Sequence, residues 1–421
     1  MPEQRNKITI WNRFFVQLLI VEAMLQIGSF LTRPVLTNFS VELGATLSVA
    51  GFVVGVSTLA AMFLRPISGF VSDRVSKKRL LVMSSAVFTV AAFGMAISTT
   101  PFMIGAFHAL QGVALAFKSV SVASLAAMAV PQERIGSAIG LIGLMNTLAM
   151  AVAPAAGTAI SAAFGYAPCF FASAALCGLG FVLALFYKQA PNTLPRSKKE
   201  TKTGEESTSA HSETSADAAP APAKRSKLAR AFDSAFYAPA IPFALIALFT
   251  IWPHAAFMAM TVTVTDMGYL ESGPLYFTVF ALCALASRPF AGRLSDSMGV
   301  TAVALPGLLL AAVTVALLVF FPTAPFVVLA AIGMGVGQSA ARSALEAEAV
   351  RGVDMGHLGR ASNTFYIGMD LGTAASPIVS GALLQVGTPQ MMFVSLAASC
   401  AIAAILTFLV HLRRSSKRPR R

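Results

Sequence analysis

The sequence predicts an all-α membrane protein: twelve transmembrane helices in two six-helix bundles related by pseudo-two-fold symmetry. Three observations carry that expectation. The 421 residues are 56% hydrophobic and 12% charged, with mean hydropathy +0.73. That is more apolar surface than one soluble core hides, so lipid must be the solvent. Second, the string Arg65-Pro-Ile-Ser-Gly69-Phe-Val-Ser-Asp73 returns as Arg288-Pro-Phe-Ala-Gly292-Arg-Leu-Ser-Asp296, matched positions lying 223 apart. Gly136 and Gly359, Ala138 and Ala361, and Pro154 and Pro377 keep that offset, the mark of two parallel repeats with a ligand path where they meet. Third, in a twelve-span reading 26 of the 31 Lys and Arg fall on one side, which the positive-inside rule makes cytoplasmic along with both termini.

Crossing the hydrocarbon takes roughly 20 apolar residues per helix. By that ruler the first half spans residues 12 to 36, 47 to 70, 80 to 99, 102 to 125, 137 to 161 and 168 to 188. The second spans 240 to 264, 274 to 295, 301 to 321, 325 to 347, 361 to 385 and 390 to 411. The expected domains are therefore an N-terminal bundle (1–188), a cytoplasmic linker (189–238), a C-terminal bundle (239–412) and a basic tail (413–421). The first apolar run follows basic residues, as a signal peptide does, but it contains Glu22 and lacks a small-residue cleavage site, so it reads as a membrane helix. The linker is rich in Lys, Glu, Ser, Thr, Ala and Pro and cannot bury enough apolar area to fold alone. Near its end Leu228, Phe232, Ala235 and Phe236 share a stripe, which reads either as an interfacial helix or as a disordered tether entering the next span. The tail either holds anionic lipid headgroups or only fixes topology. The net charge of +13 follows topology, so nucleic acid is not an expected partner. Cys169, Cys177, Cys283 and Cys400 sit in spans without metal or redox spacing and read as packing residues. No cofactor is called for.

Charges inside the bilayer cost about 2.5 to 3.5 kcal/mol each on the lenient insertion scale and must face a cavity or a partner. Glu22, near the middle of the first span, is the first candidate for proton coupling, with Gln26 one turn on as a substrate contact. Asp370 is the second such carboxylate; its counterpart in the first half is Thr147, beside Asn146, so repeat symmetry does not require it. Lys118 and Arg342 occupy nearly equivalent places in spans four and ten and are candidate substrate-binding cations. Arg342 and Glu346, four apart, also suit a simple pair, whereas Lys118 has Glu22 or a substrate anion as its expected companion. Arg65 and Arg288 read as closing spans two and eight at the cytoplasmic interface. Trp252-Pro253-His254 interrupts span seven, as a gate or His254 substrate contact, or as an ordinary kink.

The loop Gly69-Phe-Val-Ser-Asp73-Arg74-Val-Ser76-Lys77-Lys78-Arg79 resembles the signature loop of the major facilitator superfamily, with Ser76 where that family usually has Gly. Its echo runs from Gly292 to Asp296 and Gly299, and the resemblance covers the chain outside the linker. The resemblance implies a major facilitator fold, a monomer in the plasma membrane, and secondary transport by alternating access. It further implies that Asp73 latches the cytoplasmic side, with Arg134 and Arg360 as candidate partners and Gly69, Arg74, Arg65, Arg288, Asp296 and Glu346 in the same gate. The plainer reading makes Asp73 and Arg74 a tight turn. His108-Ala-Leu-Gln111-Gly112 resembles the Arg-x-x-Gln-Gly motif of proton-coupled members with His at the arginine position, either a titrating group or a structural one. Gly143 through Ala153-Pro154 to Gly157 resembles the antiporter motif, although close helix packing explains its small residues equally well.

No Gly-x-x-x-x-Gly-Lys-Ser/Thr string occurs, so an ion gradient, most simply protons, is the expected energy source. The drug/proton antiporter branch gives the leading expectation: proton-coupled efflux of a small amphipathic drug or metabolite. Uptake of an organic anion or sugar by symport or facilitation is the alternative. A membrane enzyme is set aside because no His-Glu-x-x-His, Gly-x-Ser-x-Gly or paired Asp motif lies on the helices.

Overall fold

The computed structural model describes residues 10–131, 134–188, 237–351, 353 and 358–415; the linker stripe and the end of the basic tail lie outside them. Helices follow from long apolar runs, and the first four such helices open on a side-chain cap. Asn12 accepts the amides of Phe14 and Phe15 at 3.1 and 3.0 Å and opens α1 (Arg13–Thr32). Thr46 opens α2 (Leu47–Arg74). Ser76, the residue that departs from the signature loop, caps α3 (Lys77–Ala96) by accepting from Arg79, work that glycine has no side chain for. Thr100 with Pro101 at the first position starts α4 (Pro101–Ala129), and α5 (Ile135–Phe164) and α6 (Tyr166–Leu185) complete the first half. Between them Gly165 turns the chain at φ +88°, a left-handed conformation that favours glycine.

The second half comprises α7 (Ile241–Asp266), α8 (Leu275–Met298), α9 (Val300–Phe320), α10 (Ala324–Val350), α11 (Leu358–Val386) and α12 (Pro389–Ser415). Eleven of these twelve helices are long and apolar enough to cross a membrane. The other, α8, has its apolar part at Leu275–Ser287 and continues into the second copy of the repeated string. One π turn, Met334–Gln338, interrupts α10.

Packing repeats as the sequence does. In the first half α1 lies against α5 and α6, α2 against α4, and α3 against α4 and α6; adding six to each label gives α7 against α11 and α12, α8 against α10, and α9 against α10 and α12. The halves meet along α2–α11 and α5–α8, two contacts that the duplication exchanges. Two buried clusters fill each bundle. Phe63 within α2, and Phe102, Phe164 and Phe320 at the ends of α4, α5 and α9, lie exposed, apolar surface suited to lipid around helices whose backbone is already satisfied.

Three sequence expectations change here. Arg65 does not close its helix, because α2 runs nine residues further to Arg74. Arg288 likewise precedes the end of α8 by ten residues. Pro253 does not interrupt α7, which is continuous across it.

Candidate functional site

The side of the bundle where α1 begins beside the end of α4, with the Asn12 side chain donating to the Ala129 carbonyl at 2.7 Å, and where α12 ends beside the start of α9, with Thr301 and His411 3.0 Å apart, is called the termini face. Glu22 stands nine residues into α1 and Lys118 in the second half of α4, and the two side chains meet. Lys118 Nζ donates to both carboxylate oxygens at 2.8 Å, with the residues 1% and 5% exposed. In so dry a setting neither charge is stable without the other. The ammonium also lies 5.9 Å from the centre of the Phe88 ring. The pair forms one wall of a cavity of about 270 Å³ whose lining includes Gln26, Arg65, Ser119 and Asn146. Gln26, one turn beyond Glu22, thus shares its chamber.

Arg65 links this chamber to the other half. Its Nε and Nη2 donate to the two oxygens of Asp370 on α11 at 2.7 and 3.0 Å, a planar fork that also fixes geometry. Sequence reading had both residues and missed their pairing: a contact across 305 positions leaves no local signal. Arg342 stays outside the chamber, and its expected pair with Glu346 does not form. Tyr366 of α11 donates to Glu346 instead, binding α10 to α11.

Towards the opposite face the halves close on each other. The Thr37 hydroxyl donates to the Ala259 carbonyl at 2.7 Å, Asn38 bonds Asp266 and Thr263, and the Gln385 side chain accepts from the Ser48 amide at 3.0 Å. Just inside this closure His108 of α4 and His254 of α7 border a cavity of about 50 Å³ together with Arg33, the residue that ends α1. His254 stacks on Phe280, with centroids 4.8 Å apart. The neighbouring α7 carbonyls are occupied: Ser376 donates to Trp252 at 2.6 Å and Gln338 to Thr250 at 3.1 Å. Here α7 and α10, α11 hold together around the proline.

The remaining residues expected to form a gate lie towards helix ends. Gly69 and Asp73 belong to the helical backbone of α2, and Arg288 and Asp296 to that of α8, while their side chains lie outside the described ones. Arg74 is exposed and covers the Phe70 ring at 3.4 Å. Arg134 is exposed at the N-terminal boundary of α5, and Arg360 is half-buried in the first turn of α11. A larger cleft of about 640 Å³ opens among the helix ends at Phe243, Thr301, Glu348 and His411. It lies within one bundle, away from the seam between the halves, so its size does not make it a passage. Among the described residues no cluster of His, Cys, Asp and Glu is arranged to hold a metal.

Gly157 bears on the antiporter-like motif. A Cβ there would stand 1.8 Å from the Leu31 carbonyl oxygen of α1, which makes it a helix-crossing residue within the first bundle, and a Cβ on Gly143 would meet nothing within 4 Å.

Comparison with known proteins agrees with this architecture. The family model of the Major Facilitator Superfamily matches residues 18–277 and 228–421. The inner membrane transport protein YajR of Escherichia coli is 29% identical over 167 residues, 39% of this chain and 36% of that protein. The multidrug resistance protein MdtG of Salmonella choleraesuis is 29% identical over 188 residues, 41% of this chain and 46% of its own. The aligned regions thus span less than half of those curated relatives. Among solved structures, a POT family transporter in complex with 5-aminolevulinic acid superposes with a TM-score of 0.73 at 11% identity, covering 96% of this chain and 97% of that one. The nucleoside transporter NupG gives 0.69 at 14%, covering 94% and 99%. At such identities the likeness is one of fold.

Proposed function

Since the chain belongs to the major facilitator superfamily of membrane transporters, we propose that it works as a proton-coupled exporter of a small amphipathic organic molecule, alternating access by rocking one bundle against the other. The observation that carries this reading is the buried Glu22–Lys118 pair in the wall of the 270 Å³ chamber. Protonating Glu22 removes the charge that holds Lys118, and a freed ammonium in a dry site must find a new acceptor or repel a cationic solute. Deprotonation restores the pair. One proton thereby changes what the chamber prefers to hold, which is what exchange requires.

In this cycle the termini face is cytoplasmic, as the basic loops indicate, the membrane is the plasma membrane, and the carrier acts as a monomer. The Arg65–Asp370 fork is the cross-half tie that must open and re-form. The partial likeness to MdtG favours export. Uptake of an organic anion or sugar is the second reading; Lys118 suits it less well than the sequence suggests, because Glu22 already neutralises it.

The test is flux of candidate compounds in proteoliposomes under an imposed pH gradient, comparing the native chain with Glu22→Gln. Gradient-driven accumulation in the native protein that the variant loses is expected. Unchanged coupling in the variant would move the proton site elsewhere, to Asp370 first.

A further inference from the structure

The small cavity inside the opposite-face closure has a composition the transport reading does not use. Arg33 ends α1, His108 lies two turns into α4, and His254 is at the middle of α7. Ser57, Thr58 and Thr373 supply hydroxyls, and no carboxylate lines the space. His108 is 6% exposed, and its Nδ1 has no hydrogen-bond partner among the described residues; the Nδ1 of His254 and the amide nitrogen of the adjacent Gln111 share that condition. Arg33 has no ion pair among the described residues. Its guanidinium lies 4.4 Å above the Phe30 ring, and His254 lies against Phe280. An aromatic face stabilises a cation beside it but leaves the N–H edges free.

Orphaned buried polar atoms cost about 1 to 3 kcal/mol each, and the half-buried Arg33 guanidinium adds a charge with no counter-charge beside it among the described residues. One kind of guest answers all of them together: a compact monoanion rich in acceptor lone pairs. Glu22 cannot serve, because eleven residues of helix place it about 16 Å away along α1, where it holds Lys118.

We propose that Arg33, His108 and His254 form a carboxylate-binding subsite, occluded between the two halves, that takes the acid group of the transported molecule. This rests on the transporter reading and narrows its substrate class from amphipathic molecules in general to carboxylate-bearing ones. Because α1 and α4 come from one half and α7 from the other, the bound anion bridges them and favours the arrangement closed at the opposite face. Volume sets the limit: about 50 Å³ admits a carboxylate or a single small ion.

The test reads binding apart from flux. The purified full-length protein, in a low-salt zwitterionic buffer, is titrated with acetate, with the uncharged isostere acetamide, and with chloride, and the thermal unfolding midpoint is followed. Acetate is expected to raise the midpoint with saturation and acetamide to leave it unchanged. Arg33→Gln, His108→Gln and His254→Gln should each raise the half-saturating acetate concentration at least tenfold, whereas His411→Gln, in the peripheral cleft, should not. Monodisperse elution and helical circular dichroism qualify each variant, and three independent substitutions keep the test alive if one misfolds. Chloride competing with acetate under the same variant dependence supports the anion site and assigns an inorganic monoanion as a second occupant. Equal responses to acetate and acetamide, or an acetate response indifferent to all three substitutions, overturn the proposal. Saturable acetate binding without flux of any carboxylate in proteoliposomes would overturn the assignment of the site to the transported molecule, whereas the carrier reading falls only if no candidate compound of any class moves.

Discussion

Lys118 shows how one side chain can be both a structural liability and a working part. It is 1% exposed, and only the two oxygens of Glu22 make its charge tolerable there. Removing one member of such a pair typically costs about 3 to 5 kcal/mol, whereas replacing both by apolar or neutral groups of similar volume is far milder. Glu22→Gln with Lys118→Met together should therefore unfold at a higher temperature in detergent than Glu22→Gln alone, with Lys118→Met alone also below the double variant. A double variant no more stable than the singles would mean that the charges do not depend on each other. The cysteines make a contrast at the same scale: Cys169, Cys177 and Cys400 are fully buried free thiols, apolar filling that calls for no chemistry.

Between helices, glycine does two different jobs, and substitution should separate them. Within the first bundle a Cβ on Gly112 would come within 2.0 Å of the Ser57 carbonyl oxygen, α4 against α2, so Gly112→Val should lower the yield of folded protein. Across the seam a Cβ on Gly51 would stand 2.3 Å from the Pro377 carbonyl oxygen, α2 against α11. Gly51→Val should fold and instead push the halves apart at the opposite face, seen as faster labelling of a cysteine placed at Ser48. Equal loss of folded protein in both variants would show that the seam is as much a part of the core as the bundles are. Most of this helical scale is legible in the sequence, because the membrane imposes length and apolarity on each span: all twelve helices begin and end within four residues of expectation. The helix ends beyond the lipid are less so. Arg65 seemed terminal because hydropathy falls where the hydrocarbon stops, and backbone hydrogen bonding does not stop with it. Hydropathy gives a residue's depth, while its neighbours depend on rotation and on which helices cross; that is why Glu22 and Asp370 were visible as charges but the partner of Asp370 was not. Arg33 was overlooked as a site residue for the same reason.

For the whole molecule, closure at the opposite face rests on Asn38, whose amide bridges Asp266 and Thr263 across the seam, with the Thr37 hydroxyl on the Ala259 carbonyl beside it. A carrier that rocks must part these contacts in every cycle. In a cysteine-free background, Asn38→Cys with Thr263→Cys joined by a short bifunctional thiol reagent should abolish transport, and a reducible reagent should restore it on cleavage. Full transport in the joined protein would show that this side stays shut throughout the cycle. The combination of repeat packing with exchanged seam contacts was foreshadowed by the 223-residue offset; the direction of closure had no counterpart in the sequence.

The repeat passes through the π turn of α10 without losing its offset. Gly112 presses on the carbonyl of Ser57, Gly335 on that of Phe280, and both pairs keep the 223-residue spacing, yet Lys118 and Arg342 stand 224 apart. Beyond Met334–Gln338 the buried positions still return at 223, Lys118 with Ala341 and Val122 with Leu345, so Arg342 stands one position past the true twin of Lys118. One position of helix turns a side chain by about 100° around the axis, which directs Arg342 away from the face that Lys118 occupies in the first half and leaves the duplicated pair with a cation in the dry chamber on one side alone.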